Sequence, residues 1–142
     1  MSFLKKLKTA IVISRPASWI FGPAAYLLGL VIRGDEFTLL NVVQILLLSF
    51  PLGFYMCGIN DAYDIKTDRI NKRKGNALWG ATITEKDVPW IKQASLLVVA
   101  LIFLSTLPTG NIAHILSTLF LLPIPYLYSA PPVRLKARPV LD

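Results

Sequence analysis

From Gln93 to Val133 the chain carries no Asp, Glu, Lys or Arg. Such a run is too long for one membrane-crossing helix, which needs about 20 residues. Pro108-Thr109-Gly110-Asn111 divides it with strong turn chemistry, which predicts two spans at about 88–107 and 112–128. Two more precede them. One runs over about 16–32, opened by Pro16, whose missing amide would be unpaired in a first turn anyway, and closed by Arg33-Gly34-Asp35-Glu36. The other, about 37–59, is free of formal charge. Pro51 and Gly53 lie inside it and predict a kink or break. Lipid tolerates a break only where protein or a polar cavity satisfies the freed carbonyl, so a polar cavity is expected near the end of this span. Pro123 and Pro125 should disturb the end of the fourth span, and Pro131-Pro132 stops any helix. Charged residues make up only 16% of the 142, against about a quarter in soluble domains. The predicted class is all-α: an integral membrane bundle of four transmembrane helices.

The charges support this path. Every Lys and Arg except Arg33 falls on one side of the four predicted spans, and by the positive-inside rule that side is cytosolic, with both termini. Topology therefore accounts for the net charge of +7, with membrane lipid as the implied partner and no nucleic acid. The basic start, Met1 to Lys8, has the look of a signal-peptide n-region. Arg15 interrupts the apolar stretch and no cleavage site follows, so it reads as an amphipathic arm at the membrane surface. Cys57 and His114 are the only residues of their types. Neither an internal disulfide nor a His-based zinc site can be built from them, and His114 reads as a packing or interfacial residue.

Chemistry concentrates in Asn60-Asp61-Ala62-Tyr63-Asp64-Ile65-Lys66-Thr67-Asp68. On a continuing helix, Asn60, Asp61, Asp64 and Asp68 share an arc of about 100° along about 12 Å. Carboxylates gathered so at the mouth of a bundle repel one another unless a cation lies among them, and in a membrane such groups are costly and usually functional. Hard oxygens of this kind suit Mg²⁺, which takes one or two carboxylates together with substrate phosphates. The expected ligand is thus a magnesium-bridged phosphate or diphosphate. Lys66, Arg69, Lys72, Arg73 and Lys74 follow directly. They can contact outer phosphate oxygens, or form a solvated face with an Asp68–Lys72 pair and contacts to anionic lipid.

This ladder at the end of a second span resembles the first aspartate-rich motif of the UbiA-type prenyltransferase superfamily. Arg69-Ile70-Asn71 and Gly80-Ala81-Thr82-Ile83-Thr84 look like that family's following loop. Tyr128-Ser129-Ala130-Pro131-Pro132-Val133-Arg134-Leu135-Lys136 looks like its signature after the fourth helix, and Ser14-Arg15-Pro16 resembles the opening of its first. The likeness covers essentially the whole chain. One departure is Lys74-Gly75-Asn76, where many members carry Arg-Pro-Leu.

The resemblance implies a bundle of about nine helices, of which this chain supplies the first part as one domain over residues 1–142. It also implies Mg²⁺-dependent transfer of a prenyl group from a polyprenyl diphosphate to a hydrophobic or aromatic acceptor. Asp61, Asp64 and Asp68 are then the catalytic carboxylates and, with Asn60, the metal ligands; Arg69, Tyr128, Arg134, Lys136 and Arg15 are the substrate-binding candidates. A second Asp-x-x-x-Asp ladder is absent from the sequence, and Arg138-Pro139-Val140-Leu141-Asp142 stands where a fifth span is expected. The expectation is an N-terminal half, completed by a complementary C-terminal half or a homo-oligomer. Two other readings stay open: a non-catalytic four-span binding or assembly protein, and a transporter fragment that uses the ladder as a cation site.

Overall fold

The structure, a computed structural model, describes residues 2–138 and is all-α, with no strand among the described residues. Its helices are α1 (Phe3–Ile13), α2 (Phe21–Arg33), α3 (Leu39–Leu48), α4 (Phe50–Tyr63), α5 (Ile65–Asp68), α6 (Val88–Thr106), α7 (Ile112–Leu121) and α8 (Ile124–Ser129). Three stretches are long and apolar enough to cross a membrane: Leu39–Tyr63, Val88–Thr109 and Ile112–Ser129. A fourth forms if Phe3–Ile13 and Pro16–Arg33, bent by 54°, make one broken span. Beyond Arg138 the expected start of a fifth span lies outside the described residues.

The predicted breaks occur where the backbone chemistry requires them. Ser49 leaves helical geometry at φ −85° and ψ −115°, between α3 and α4, and Pro51 sits in the first turn of α4, where its missing amide costs nothing. Gly53 has a different reason from the expected kink: a Cβ there would lie 2.9 Å from the Ser14 carbonyl oxygen. Its absence lets the end of α1 press against α4. Pro123 stands between α7 and α8, and Pro125 sits in the first turn of α8 as Pro51 does in α4. The last spans turn at Gly110, φ +61°, and Asn111 caps α7 by accepting from the His114 amide at 3.1 Å.

Two expectations are corrected. The N-terminal stretch is not only a surface arm: Ala10 and Ile13 of α1 are buried in the core with Phe54, Ala62 and Ile91. The ladder does not ride one continuous helix either. Asp64 is non-helical at φ −110° and ψ 12°, so Asp68 stands on the separate turn α5. At this break the Asp64 carboxylate pairs with Arg134 and Lys136, in the chain after α8.

The core lies at the ladder's end of the bundle. Ala81 and Ile83, from the α5–α6 connection, join it, and Phe54 stacks on Trp90 with ring centroids 6.0 Å apart. That connection enters α6 through Asp87, which accepts from Thr84 N (3.0 Å), Thr84 Oγ1 (2.7 Å) and Trp90 Nε1 (3.3 Å). Partial burial works to raise the Asp87 carboxyl, but these bonds and the Lys5 charge prevail and hold it below its ordinary range. Elsewhere leucines, isoleucines and phenylalanines such as Leu39, Leu46, Leu96 and Phe120 face outward. Such a belt suits contact with lipid rather than water.

Candidate functional site

Burial sets the terms at the end of α4. Asp61 is fully buried, at 0% exposure, and a lone carboxylate there would be prohibitively costly. Two cations reach it from different parts of the chain. Lys74 Nζ, itself only 6% exposed, lies 2.5 Å from Asp61 Oδ1, and Arg15 Nη2 lies 3.5 Å from the same oxygen. Lys74 also stands 3.0 Å from Asp68 Oδ2, an ion pair whose alignment falls short of a hydrogen bond. One ammonium thus bridges the first and third acids of the ladder.

The second acid pairs elsewhere. Lys136 Nζ donates to Asp64 Oδ2 at 2.6 Å and to Asn60 Oδ1 at 2.8 Å, and Arg134 Nη2 meets Asp64 Oδ1 at 3.4 Å. Ser129 Oγ lies 3.4 Å from Asn60 Oδ1. The two sequence stretches that looked like signatures, at 60–68 and 128–136, are therefore one site in space. A cavity of about 390 Å³ borders it between Tyr63, Asp64, Glu85 and Arg134.

The backbone is strained at the same place. Among the described residues only Arg15 (φ +52°) and Arg134 (φ +38°) are non-glycine residues with positive φ, and both belong to the site. Left-handed geometry costs a non-glycine residue about 1–2 kcal/mol, and strain of this kind concentrates at functional sites. Gly80, at φ +89°, completes the wall: a Cβ there would lie 3.2 Å from Asp61 Oδ2 and 3.4 Å from both Arg15 Nε and Lys74 Nζ. Only glycine accommodates both the conformation and the close approach.

Most of the residues expected to serve together do come together: Asn60, Asp61, Asp64, Asp68, Arg15, Arg134 and Lys136. Arg69 does not. It turns to Glu85, 3.7 Å away on the surface. Tyr128 sits on α8 and is 38% exposed. The expected Asp68–Lys72 pair is replaced by Asp68–Lys74, while Arg73 lies over the Trp79 ring. Sequence reasoning missed the central place of Lys74 and Gly80. They lie in an irregular connection, where no periodicity ties them to Asp61; the nearest signal is the pair Gly75 and Gly80, which closes a small loop, Gly75 N donating to Gly80 O at 2.8 Å and Gly80 N to Asn76 O at 2.9 Å.

Does this donor set fit a magnesium ion? Asp61 Oδ2 is buried and makes no hydrogen bond, so one hard oxygen is left for a cation to take. Asp68 Oδ2, also without a hydrogen bond, faces the Lys74 ammonium, which a metal would have to displace. No group of three His, Cys, Asp or Glu side chains converges to hold a metal among the described residues. The oxygens fit in a pair, Asp61 with Asp68, with Asp64 held apart by Lys136. Donors also stand unused: Arg15 Nε and Arg134 Nε are buried without a partner. An arrangement with spare acceptors and spare guanidinium donors can receive a cation and an anion together.

The chain is 30% identical over 147 residues to a lycopene elongase/hydratase of Corynebacterium glutamicum, covering 98% of this chain and 48% of that protein. It is likewise 30% identical over 134 residues to a lycopene elongase/hydratase of Haloarcula japonica, covering 92% of this chain and 44% of the relative. A shorter match, 35% over 69 residues, joins 49% of the chain to 16% of the C(50) beta-cyclic carotenoids biosynthesis protein LbtBC of a Dietzia species. The chain spans about half the length of the first two relatives. No family model matches it, and no solved structure does.

Proposed function

We propose that this chain supplies the first carboxylate set of a UbiA-type membrane prenyltransferase acting on a carotenoid-like polyene, with a polyprenyl diphosphate as donor. The observation that carries the reading is the convergence of Arg15, Lys74, Arg134 and Lys136, from three separate segments, on Asp61, Asp64 and Asp68, with buried atoms of both signs left without a hydrogen bond. The relatives' names, lycopene elongase/hydratase, support a carotenoid-like substrate class. Magnesium, when bound, neutralises charge that develops on the departing diphosphate.

The chain's own residues do the rest. Asp61 offers a free oxygen and Asp68 one shared with Lys74, and Asn60 and Asp64 orient Lys136 toward the same mouth. Arg15 and Arg134 are pre-set in strained geometry, so their unused Nε groups take phosphate oxygens without further ordering. The apolar bundle beyond excludes water that would capture an allylic cation before the acceptor does. The excess of basic residues on the ladder's side of the spans supports a cytosolic site and cytosolic termini. A complementary half, or a second copy, supplies the remaining carboxylates.

One feature favours a second reading, a non-catalytic binding or assembly protein: each acid of the ladder already has a cationic partner. The deciding experiment is transfer of a labelled prenyl group from geranylgeranyl diphosphate to lycopene in liposomes. The protein is tested with and without Mg²⁺. Transfer that requires Mg²⁺ and disappears in Asp64→Ala supports the enzyme; transfer that survives Asp64→Ala overturns the site. Magnesium-dependent binding without transfer assigns the chain to the binding reading.

A further inference from the structure

The larger chemical puzzle lies at the other end of the same span. Asn41 and Gln44 of α3 are buried, Gln44 to 2% exposure, in the middle of an apolar sequence. Polar side chains inside a membrane bundle need partners. Tyr26 of α2 hydrogen-bonds Gln44 Oε1 and accepts from Asn41 Nδ2 at 2.8 Å, while Gln44 Nε2 donates to the Ser105 carbonyl at 2.9 Å. These contacts join three spans. They do not use all the capacity present. The Gln44 amide has a second N–H, and the His114 imidazole, whose ring centroid is 6.2 Å from that of Tyr26, makes no hydrogen bond among the described residues.

Tyr26, Gln44 and His114 border one cavity of about 340 Å³, walled otherwise mainly by apolar side chains such as Leu48, Leu52 and Ile102. Asp61 is about 25 Å further along the span, at about 1.5 Å per residue, so this is not the carboxylate site. We propose that the cavity binds a long apolar molecule that ends in an alcohol, with the hydroxyl at Gln44 and His114. Simple chemistry selects the end group. A hydrocarbon leaves the imidazole and the second Gln44 N–H unused, and a carboxylate or amine brings a charge into lipid surroundings at a cost these neutral groups do not offset. A hydroxyl donates once and accepts twice, which suits an N–H and an imidazole together. The proposal goes beyond the transferase reading and needs neither metal nor diphosphate.

His114 is the only histidine in the chain, so in untagged protein labelled with ¹⁵N-histidine the ring resonances come from this residue alone. The protein in lipid nanodiscs is titrated with geranylgeraniol and, in parallel, with the saturated hydrocarbon phytane. The expected result is a saturable imidazole shift with the alcohol, much weaker with the hydrocarbon, and an affinity for the alcohol about five-fold lower in Gln44→Leu, the loss of about one neutral hydrogen bond. Leu52→Phe, which fills the cavity and spares the polar cluster, abolishes the shift. Equal responses to alcohol and hydrocarbon overturn the proposal in favour of a plain lipid pocket. A shift that persists in Leu52→Phe, or no saturable shift with either probe, overturns it as well.

Discussion

The two ends of the span from Leu39 to Tyr63 solve one problem, polar groups in an apolar bundle, by opposite means. At the Gln44 end the groups are neutral. Tyr26, Asn41, Gln44 and a carbonyl form a short chain of hydrogen bonds on unstrained helices. At the Asp61 end the groups are charged, two of the partner arginines sit at positive φ, and buried atoms of both signs remain unsatisfied. The neutral end holds helices together. The charged end holds electrostatic and conformational strain that, under the proposed function, a bound cation and anion would relieve.

The comparison breaks or sharpens under three substitutions. Asp61→Ala has the largest expected effect. It leaves Lys74 and Arg15 facing a buried gap, and removing one partner of a buried pair costs about 3–5 kcal/mol; chemical unfolding in detergent measures it, and replacing Lys74 by Met at the same time recovers much of the loss. Gly80→Ala comes next, at about 1–2 kcal/mol, because φ +89° disfavours any Cβ and this one presses on Asp61 Oδ2. Gln44→Leu is the smallest, at about 0.6 kcal/mol, the usual worth of a hydrogen bond between membrane helices. A loss at Gln44 as large as that at Asp61 would erase the distinction between the two ends.

Much of the fold was legible because membranes enforce simple rules. Charge-free length, Pro51, Pro123 and the Pro108 turn place the spans and their breaks within a few residues of where they occur. The site was legible in its acids and in the cations of Arg15, Arg134 and Lys136, since spacing and motif mark them. What escaped was tertiary. Nothing local indicates that Lys74, from an irregular connection, serves two carboxylates at once, or that the Asp64 backbone leaves the helix as its side chain pairs with Lys136. The Tyr26–Gln44 contact was equally hidden, because it joins spans that only packing brings side by side.

The most direct test of the account is binding of geranylgeranyl diphosphate to the protein in lipid nanodiscs, with Mg²⁺ present or chelated. Saturable binding that needs Mg²⁺ and weakens at least ten-fold in Asp64→Asn is the predicted result. Binding indifferent to both magnesium and Asp64 would contradict it.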